Sequence, residues 1–426
     1  MKNVSALIPV INRIPRRLIK RLFILPVLLW SMADISSAQK IQVVNLENQV
    51  VRKFMSHGPY SGFGTENSYF ENNEEFPSRF AFDKPESFEI SWAGNADDTY
   101  TVTLRESRNR RKKGNTVLAE TVNGNSFRMT NLIPQRYYTY TVKKGSRKVL
   151  SGKFRTEGQI RMLEIRDCVN ARDLGGWSTF DGKTVRYGLL FRTGSIDGEY
   201  NGDCSDNCPG ARCRNPIHES AQSQIGDPAR YTLHKESVDA LEFIGIDADL
   251  DLRGITGEGL WGNQCMTHTR SLGITKIPGA DYCQVMTDIA LHNPFDDPAV
   301  VKDVDWIIQE LKKGRHVAFH CRSGADRTGA VAMIIEALLG VRAGAITMDY
   351  ELTSLSSEGT GQTRSAKNVL TGGYGFYGRG FTTIPVDEPD PDKRLQKQAY
   401  IYLNSTFDEC SISETDLDWF VSFMLE

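Results

Sequence analysis

The stretch "GRHVAFHCRSGADRTGAVAMIIEALLG", Gly314 to Gly340, contains an apolar run, a polar loop and a second, longer apolar run. The first run, "HVAF", has the length of a buried strand, and "RTGAVAMIIEALLG" has the length and composition of a buried helix. Cys321 begins the loop between them, and Arg327 follows six positions later. Strand–loop–helix units of this kind predict an α/β layer fold with parallel strands.

The loop "CRSGADR" combines groups that bind and attack a tetrahedral anion. Amide groups at the start of a helix lack acceptors and carry a positive dipole, so they bind anions and lower the pKa of a nearby thiol. Arg327 can hold an oxyanion with two parallel hydrogen bonds. Gly324 permits a tight turn, Thr328 can offer a hydroxyl to the sulfur of Cys321, and His320 can fix the loop. Together these residues predict phosphoryl transfer through a phosphocysteine.

The pattern His-Cys-x5-Arg-Thr-Gly resembles the signature of the cysteine-dependent protein-tyrosine phosphatase superfamily. A second block, "NARDLGGWSTFDGKTVRYGLLFRTGSI" at Asn170 to Ile196, resembles the bacterial branch with an "HCxxGxDRTG" loop. The resemblance covers about residues 160 to 370, with "DYELTS" at Asp349 to Ser354 as a weaker match. It implies an enzyme without a cofactor, in which Cys321 is the nucleophile and Arg327 is the phosphate clamp.

The substrate class depends on the residues that line the pocket floor. Arg322 resembles the loops of dual-specificity phosphatases, whereas Asp326 resembles those of lipid-active relatives. We therefore predict a phosphotyrosine or dual-specificity protein phosphatase, with a phosphoinositide or inositol-polyphosphate (phytate-type) phosphatase as the alternative. A catalytically silent phosphate-binding or adhesion module is a third possibility, which the presence of the nucleophile, the arginine and two candidate acids disfavours. The floor residues are Arg322, Ser323, Gly324, Ala325 and Asp326.

The leaving oxygen needs a proton, so a carboxyl group must reach it. Asp326 inside the loop and Asp251 in "LDLRG" satisfy this requirement equally well. Each has an alternative role, because Asp326 can cap the helix and Asp251 can pair with Arg253. Weaker candidates are Glu258, Asp296 and Asp297.

Several charged residues of the second block are expected to be structural. Asn170, Arg172 and Asp173 precede two glycines, which suits a tight turn packed near the active site. Arg192 either adds positive potential for the anionic substrate or lies on the surface.

Residues 39–157 show a different pattern. Short alternating runs such as "TYTVTLRES" and "YYTYTVKKG" are separated by Gly, Asn and Asp clusters, which predicts an all-β domain. Trp92, together with Leu132, Pro134 and Tyr138 at tyrosine-corner spacing, resembles a fibronectin type III or immunoglobulin-like sandwich. We expect this domain to be a spacer or docking module.

The predicted organisation has three segments: a signal peptide at 1–38, the sandwich at 39–157 and an α/β phosphatase domain at 158–426. In the last, a central, mostly parallel sheet is expected between helices. One of these helices is predicted at 299–313, where five apolar residues recur at a helical period and Gly314 follows as a stop signal.

The N-terminus has the order of a secretory signal. Five basic residues between Arg13 and Arg21 precede the apolar run Leu22 to Met32, and the small residues 36–38 offer a cleavage site. The run is short for a membrane span, and an uncleaved anchor is the alternative. We expect an exported protein of the periplasm, cell surface or medium, with no integral membrane segment in the mature chain.

Composition limits the partners and metals. The net charge is −2, without the basic surplus of nucleic-acid binders, so we expect no nucleic-acid partner. The family resemblance implies a phosphorylated protein, a phospholipid or an inositol phosphate as substrate. Of eight cysteines, three cluster in "NGDCSDNCPGARCRNP". Their spacing fits a zinc site poorly even with His218 nearby. We predict a disulfide-stapled insertion at Cys204, Cys208 and Cys213, and no metal.

Overall fold

The computed structural model describes residues 41–58, 60–61, 69–70, 81–200, 231–253, 273–285, 287, 298–356, 379–407 and 410–426. The described residues from Val43 to Glu426 belong to one compact unit. No described helix combines the length and the apolar character that a membrane span requires.

The described elements before residue 158 are β1 (Gln42–Asn45), α1 (Gln49–Met55), β2 (Phe88–Ser91), β3 (Thr99–Ser107), β4 (Asn115–Asn123), β5 (Ser126–Met129), β6 (Tyr137–Lys144) and β7 (Arg147–Glu157). One sheet has the order β1-β7-β6-β3-β4, and β2 pairs with β5 in a second sheet. We call these seven strands the β module.

Side chains from both sheets of the β module share one hydrophobic cluster, which includes Trp92, Tyr138 and Phe154. The buried Tyr138 hydroxyl accepts a 2.9 Å hydrogen bond from the Ile133 amide and donates one of 3.1 Å to Glu106. This links the chain before β6 to the strand itself. Assignment to the fibronectin type III-like class stays a prediction.

The stretch predicted as all-β includes a helix. The side chain of Asn48 caps α1 by accepting 3.0 Å hydrogen bonds from the Val50 and Val51 amides. Val51 and Phe54 are fully buried, and they pack in the same hydrophobic cluster as the α/β elements that follow residue 158. Helix α1 therefore packs on the α/β part rather than within the β module.

The described elements after residue 158, which form the α/β part, are β8 (Arg172–Asp173), β9 (Leu190–Thr193), β10 (Glu199–Tyr200), β11 (Tyr231–Thr232), α2 (Lys235–Ile244), β12 (Ala248–Asp251), β13 (Asp281–Gln284), α3 (Ala299–Lys312), β14 (Val317–His320), α4 (Arg327–Leu338), α5 (Ala343–Glu351), a 3-10 turn (Leu352–Ser356), α6 (Arg379–Thr382), α7 (Pro391–Ser405) and α8 (Glu414–Met424).

The sheet of the α/β part has the order β13-β12-β14-β9-β8. β14 is parallel to both β12 and β9, and β12 is parallel to β13, but β8 and β9 are antiparallel. The prediction of a mostly parallel sheet is corrected, because the described sheets are mixed. The connection between β8 and β9, residues 174–189, contains no helix that could serve as a parallel crossover.

Two helices flank the central strand β14 in sequence. The predicted helix at 299–313 is confirmed as α3, whose apolar face is buried and which ends before Gly314 at φ 83°. All residues of α4 are buried. Cys321 therefore lies at the carboxyl end of an inner strand, the edge at which α/β sheets bind ligands.

Candidate active site

Cys321 follows β14 directly, and α4 begins six residues later at Arg327. We call the connection the 321–327 loop. The Cys321 side chain is 3% exposed, and its thiol is not part of a disulfide among the described residues. A buried strand and a buried helix thus fix both ends of a short loop that carries the thiol.

The carbonyl groups of the 321–327 loop are held from outside the loop. The Asn170 side-chain amide donates to the carbonyl oxygens of Ser323 at 3.1 Å and Gly324 at 2.8 Å. Arg192 also donates to Gly324 O, at 3.0 Å, and the carbonyl of Arg322 accepts from a backbone amide at 3.0 Å. Because N–H and C=O of a trans peptide point in opposite directions, these contacts turn the loop amides inward.

The inward amides lack partners. Among the described residues, the amides of Arg322, Ser323, Gly324 and Ala325 have no hydrogen-bond acceptor. They lie at the start of α4, where the helix dipole is positive. Unpaired donors at such a place form an anion site.

The pKa of Cys321 is lowered from 9.0 to about 7. Burial alone raises the pKa, but the charge of Arg327 and the polar hydroxyl and amide of Thr328 outweigh it. Thr328 is fully buried, and its hydroxyl has no nitrogen or oxygen partner among the described residues. A large fraction of Cys321 is therefore thiolate near neutral pH, the form that acts as a nucleophile.

Two guanidinium groups adjoin the thiol. Arg327 is 8% exposed and donates a 3.4 Å hydrogen bond to the carbonyl of Leu252, which ties its side chain to the end of β12. The half-buried Arg322 has a lowered pKa, first because of burial and then because of the charge of Arg327. The two cations together give the surroundings of the thiol a positive potential that suits an anionic substrate.

His320 supports the loop from the strand side. Its Nε2 lies 3.1 Å from Asp249 Oδ1, and its Nδ1 lies 3.2 Å from the carbonyl oxygen of Cys321. Burial lowers the pKa of His320, but Asp249 and then Asp251 raise it to about 9. The imidazolium thus joins β12 to β14 directly beneath the nucleophile.

Asp251, one predicted candidate for the acid, is fully buried. Arg253 donates to it from Nε and Nη2, both at 2.8 Å, and the Tyr282 hydroxyl donates at 3.2 Å. Arg253 also pairs with Asp197. The alternative role of Asp251, a pair with Arg253, is therefore the arrangement that the structure contains.

Asp326, the other candidate, occupies the N-cap position of α4 and is half-buried. Its side chain makes no capping hydrogen bond to the helix. The carboxyl group lies in the 321–327 loop, close enough to the thiol for its negative charge to raise the pKa of Cys321.

A buried ionic cluster lies behind the loop. Asp349 pairs with Arg172 at 2.9 Å and with Arg192, and each of the three residues is 1% exposed. Burial raises the pKa of Asp349, but the two guanidinium charges outweigh burial and lower it. The surface placement considered for Arg192 is therefore wrong, because Asp349 and the Gly324 carbonyl hold its guanidinium inside the fold.

The charged residues of the second block reach the loop through this cluster. Arg172 donates to Asn170 Oδ1 at 2.5 Å, and so orients the amide that binds the loop. Asp173 instead pairs with Arg161 at 2.9 Å and is not part of the Asp349 cluster. Asp349, which the sequence analysis did not single out, lies in the weakly matching "DYELTS" segment, and that match was its only signal.

Several predicted positions lie outside the described residues: the segment 1–38, Cys204, Cys208, Cys213, His218, Glu258, Asp296 and Asp297. Among the described residues, no group of His, Cys, Asp or Glu side chains has the arrangement of a metal site.

Comparison with known proteins bears on the same segment. A family model described as "Tyrosine phosphatase family" matches residues 163–205 and 229–373, which include Asn170 and the whole 321–327 loop. No curated protein matches the chain at a significant level. Among solved structures, the crystal structure of P. aeruginosa TpbA matches with 12% identity over 41% of this chain and 74% of that chain, at a TM-score of 0.23. That likeness is too low to carry an argument, so the family match alone supports a phosphatase hydrolase with a phosphorylated substrate.

Proposed function

We propose that the protein hydrolyses phosphate monoesters through a phosphocysteine intermediate on Cys321, with phosphotyrosine or dual-specificity protein substrates favoured. The observation that carries this proposal is the polarity of the 321–327 loop. Its carbonyls are bound from outside by Asn170 and Arg192, while the amides of residues 322–325 lack acceptors among the described residues. Inward amides, one thiolate and one guanidinium match the charge that develops on a transferring phosphoryl group.

In the first step, the Cys321 thiolate attacks phosphorus, and the bond between phosphorus and the ester oxygen breaks. The leaving oxygen takes a proton from Asp326, which lies in the loop, whereas Asp251 is buried against Arg253. In the second step, water gives a proton to the Asp326 carboxylate as it attacks phosphorus, the phosphorus–sulfur bond breaks, inorganic phosphate is released and the thiolate returns. Arg327 and the loop amides stabilise the phosphoryl oxygens throughout.

The test is hydrolysis of para-nitrophenyl phosphate by the full chain in the presence of a chelator. We expect metal-independent turnover, vanadate inhibition and loss of activity in Cys321→Ser, with a phosphocysteine trapped by rapid acid quench in the wild type. Turnover that survives Cys321→Ser would reject the mechanism. Phosphate binding without turnover in the wild type would instead favour the catalytically silent module.

One observation favours the alternative substrate class. The half-buried Arg322 side chain lies beside Cys321 and has no hydrogen bond, ion pair or ring contact within the described residues. Such a cation suits a second negative group next to the scissile phosphate, as in a phosphoinositide or an inositol polyphosphate. The test compares kcat/KM of wild type and Arg322→Ala for phosphotyrosine peptides, phosphoinositides and phytate. If Arg322 binds a second negative group, the variant should lose kcat/KM for phosphoinositides or phytate and keep it for phosphotyrosine peptides.

We also propose export by the N-terminal signal, and a fibronectin type III-like role for the β module as a spacer or docking domain. The first is supported by the order of basic, apolar and small residues in 1–38, and the second by the shared core of two sheets and the Tyr138–Ile133 hydrogen bond. Expression in a bacterial host followed by fractionation and N-terminal sequencing tests export, because cleavage before Gln39 is the expected result.

A further inference from the structure

The chain just before β2 reaches the back of the 321–327 loop. Asp83, which is 4% exposed, accepts a 2.9 Å hydrogen bond from the Asn170 amide and a 2.6 Å hydrogen bond from the Ser356 hydroxyl. The neighbouring Phe82 amide donates to the carbonyl of Leu355 at 2.7 Å. Hydrogen bonds thus fix this segment to the α/β part next to Asn170, whose side chain binds the 321–327 loop.

Asn170 is the residue that links Asp83 to the loop. Its φ of 55° is in the left-handed region, a conformation that non-glycine residues keep only when their contacts enforce it. The backbone amide binds Asp83, while the side-chain amide binds Ser323 O and Gly324 O. One residue therefore receives its position from Asp83 and sets the position of two loop carbonyls.

We propose that Asp83 is a positioning residue of the active site, which holds the 321–327 loop in its anion-binding conformation through Asn170. This inference rests on the proposed phosphatase function. It also assigns the segment before β2 to the catalytic machinery rather than to the accessory β module.

The physical argument follows the hydrogen bonds in order. Without Asp83, the Asn170 amide loses its acceptor inside the protein, which makes the left-handed backbone unfavourable. Rotation of Asn170 would remove the donor from the Ser323 and Gly324 carbonyls. Those carbonyls could then turn inward, so that fewer amides would face the phosphoryl oxygens. Replacement of Asp83 should therefore weaken binding of the transition state more than it lowers the stability of the overall fold.

The experiment compares Asp83→Ala and Asp83→Asn with two controls in the full chain. Glu47→Ala is the stability control, since Glu47 is, like Asp83, a buried carboxyl that accepts two hydrogen bonds. Its donors are the backbone amides of Gln159 and Ile160, at 2.7 and 2.8 Å. Ser356→Ala is the contact control, because it removes the second partner of Asp83 and leaves Asn170 in place.

We expect Asp83→Ala to lower kcat/KM for para-nitrophenyl phosphate by about 10- to 100-fold, the scale of a small displacement of catalytic groups. Vanadate affinity should fall in parallel, and Asp83→Asn should recover part of both, since its side-chain oxygen can still accept from Asn170. Glu47→Ala should lower the melting temperature by a similar amount with unchanged kcat/KM, and Ser356→Ala should stay close to wild type.

The inference is overturned if Asp83→Ala and Glu47→Ala have equal kinetics, or if Ser356→Ala loses as much activity as Asp83→Ala. Should Asp83→Ala fail to fold, Asp83→Asn provides the same comparison. Calorimetry of vanadate binding reports the anion affinity of the loop independently of turnover. A wild type that binds vanadate but does not turn over therefore contradicts the proposed function alone, whereas equal vanadate affinity in wild type and both Asp83 variants contradicts this inference alone.

Discussion

Gly324 approaches Thr193 so closely that a Cβ atom added to Gly324 would lie 2.4 Å from the carbonyl oxygen of Thr193. Thr193 ends β9, the neighbour of β14 in the sheet. The φ of Gly324 is 65°, a left-handed conformation that glycine adopts without steric cost. The 321–327 loop is thus pressed against the adjacent strand at the residue whose carbonyl both Asn170 and Arg192 bind.

Replacement of this glycine should therefore disrupt the anion site. We expect Gly324→Ala to lower kcat/KM and vanadate affinity by about 10²-fold, because the loop must move away from Thr193. The matched control is Gly182→Ala, where φ is 85° but no atom lies within 4 Å of the added Cβ. It should cost only the backbone strain of about 1–2 kcal/mol, measured by urea unfolding. Equal kinetics in the two variants would contradict the close packing.

The pKa of Cys321 gives a prediction for pH. Since the pKa lies at about 7 rather than 9.0, the thiolate fraction rises as pH increases through 7. Inactivation by iodoacetate should reach half of its maximal rate near pH 7, and the label should map to Cys321 by mass spectrometry. Cys283 and Cys410, whose pKa values burial raises, should react only at higher pH.

Arg327 provides the control for this pH profile. Its charge is the main influence that lowers the pKa of Cys321 against burial. Arg327→Ala should therefore move the midpoint of inactivation to higher pH. An unchanged midpoint would mean that Arg327 does not face the thiol.

The two candidate acids are separated by leaving-group dependence. Asp326→Asn should lower kcat for phenyl phosphate by about 10²-fold or more, because a poor leaving group needs the proton. The loss should be smaller for para-nitrophenyl phosphate, whose leaving group needs less help. Asp251→Asn should instead lower the free energy of unfolding. Removing one partner of a buried ion pair costs about 3–5 kcal/mol when the other charge is left unpaired, and the cost here should be smaller because Arg253 keeps Asp197. If Asp251→Asn has the leaving-group dependence, the assignment is reversed.

The placement of the thiol and the guanidinium on one strand–loop–helix unit could be predicted from the sequence because its parts are local. Cys321, Gly324 and Arg327 lie within one turn, and a strand and a helix adjoin them in the chain. Its support could not be predicted, since Asn170 lies 154 residues before Gly324. Arg192 was considered as a surface residue because arginine is usually exposed, and only the fold brings Asp349 to it.

The elements that the sequence pattern missed have weak periodicity. α1 has seven residues, about two turns, which is too short for a helical apolar repeat to stand out. β4 is at the end of its sheet and is exposed along most of its length, so it lacks the alternation that marks a half-buried strand. In both cases tertiary neighbours, rather than the local pattern, determine the structure.

The packing of α1 predicts that the α/β part depends on it. Phe54 is fully buried and stacks on Phe70 with ring centroids 5.0 Å apart, inside the cluster that contains α4. Phe54→Ala should lower the free energy of unfolding by about 3–5 kcal/mol, measured by urea denaturation. Val43→Ala is the control, since Val43 is 53% exposed and should change stability little. A Phe54→Ala variant as stable as that control would exclude α1 from the core.

Glu336 makes stability depend on pH through a buried carboxyl. The residue is 1% exposed on α4, and its Oε1 has no hydrogen-bond partner within the described residues. Burial, and then the negative charge of Asp349, raise its pKa well above 4.5. The group is therefore neutral in the fold under conditions in which the unfolded chain ionises it.

The direction of the effect follows from this difference. A raised pKa in the fold contributes stability that is present below the unfolded value of 4.5 and is lost as pH rises toward the folded value. Glu336→Gln cannot ionise, so the stability of the wild type relative to this variant should fall with pH, by up to about 1.4 kcal/mol per unit. Urea unfolding of both proteins at about pH 5 and about pH 8 measures it. Asp349→Asn should behave oppositely, because the pKa of Asp349 is lowered and its contribution is present at neutral pH and lost in acid. Parallel pH profiles for wild type and Glu336→Gln would mean that Glu336 is ionised in the folded protein.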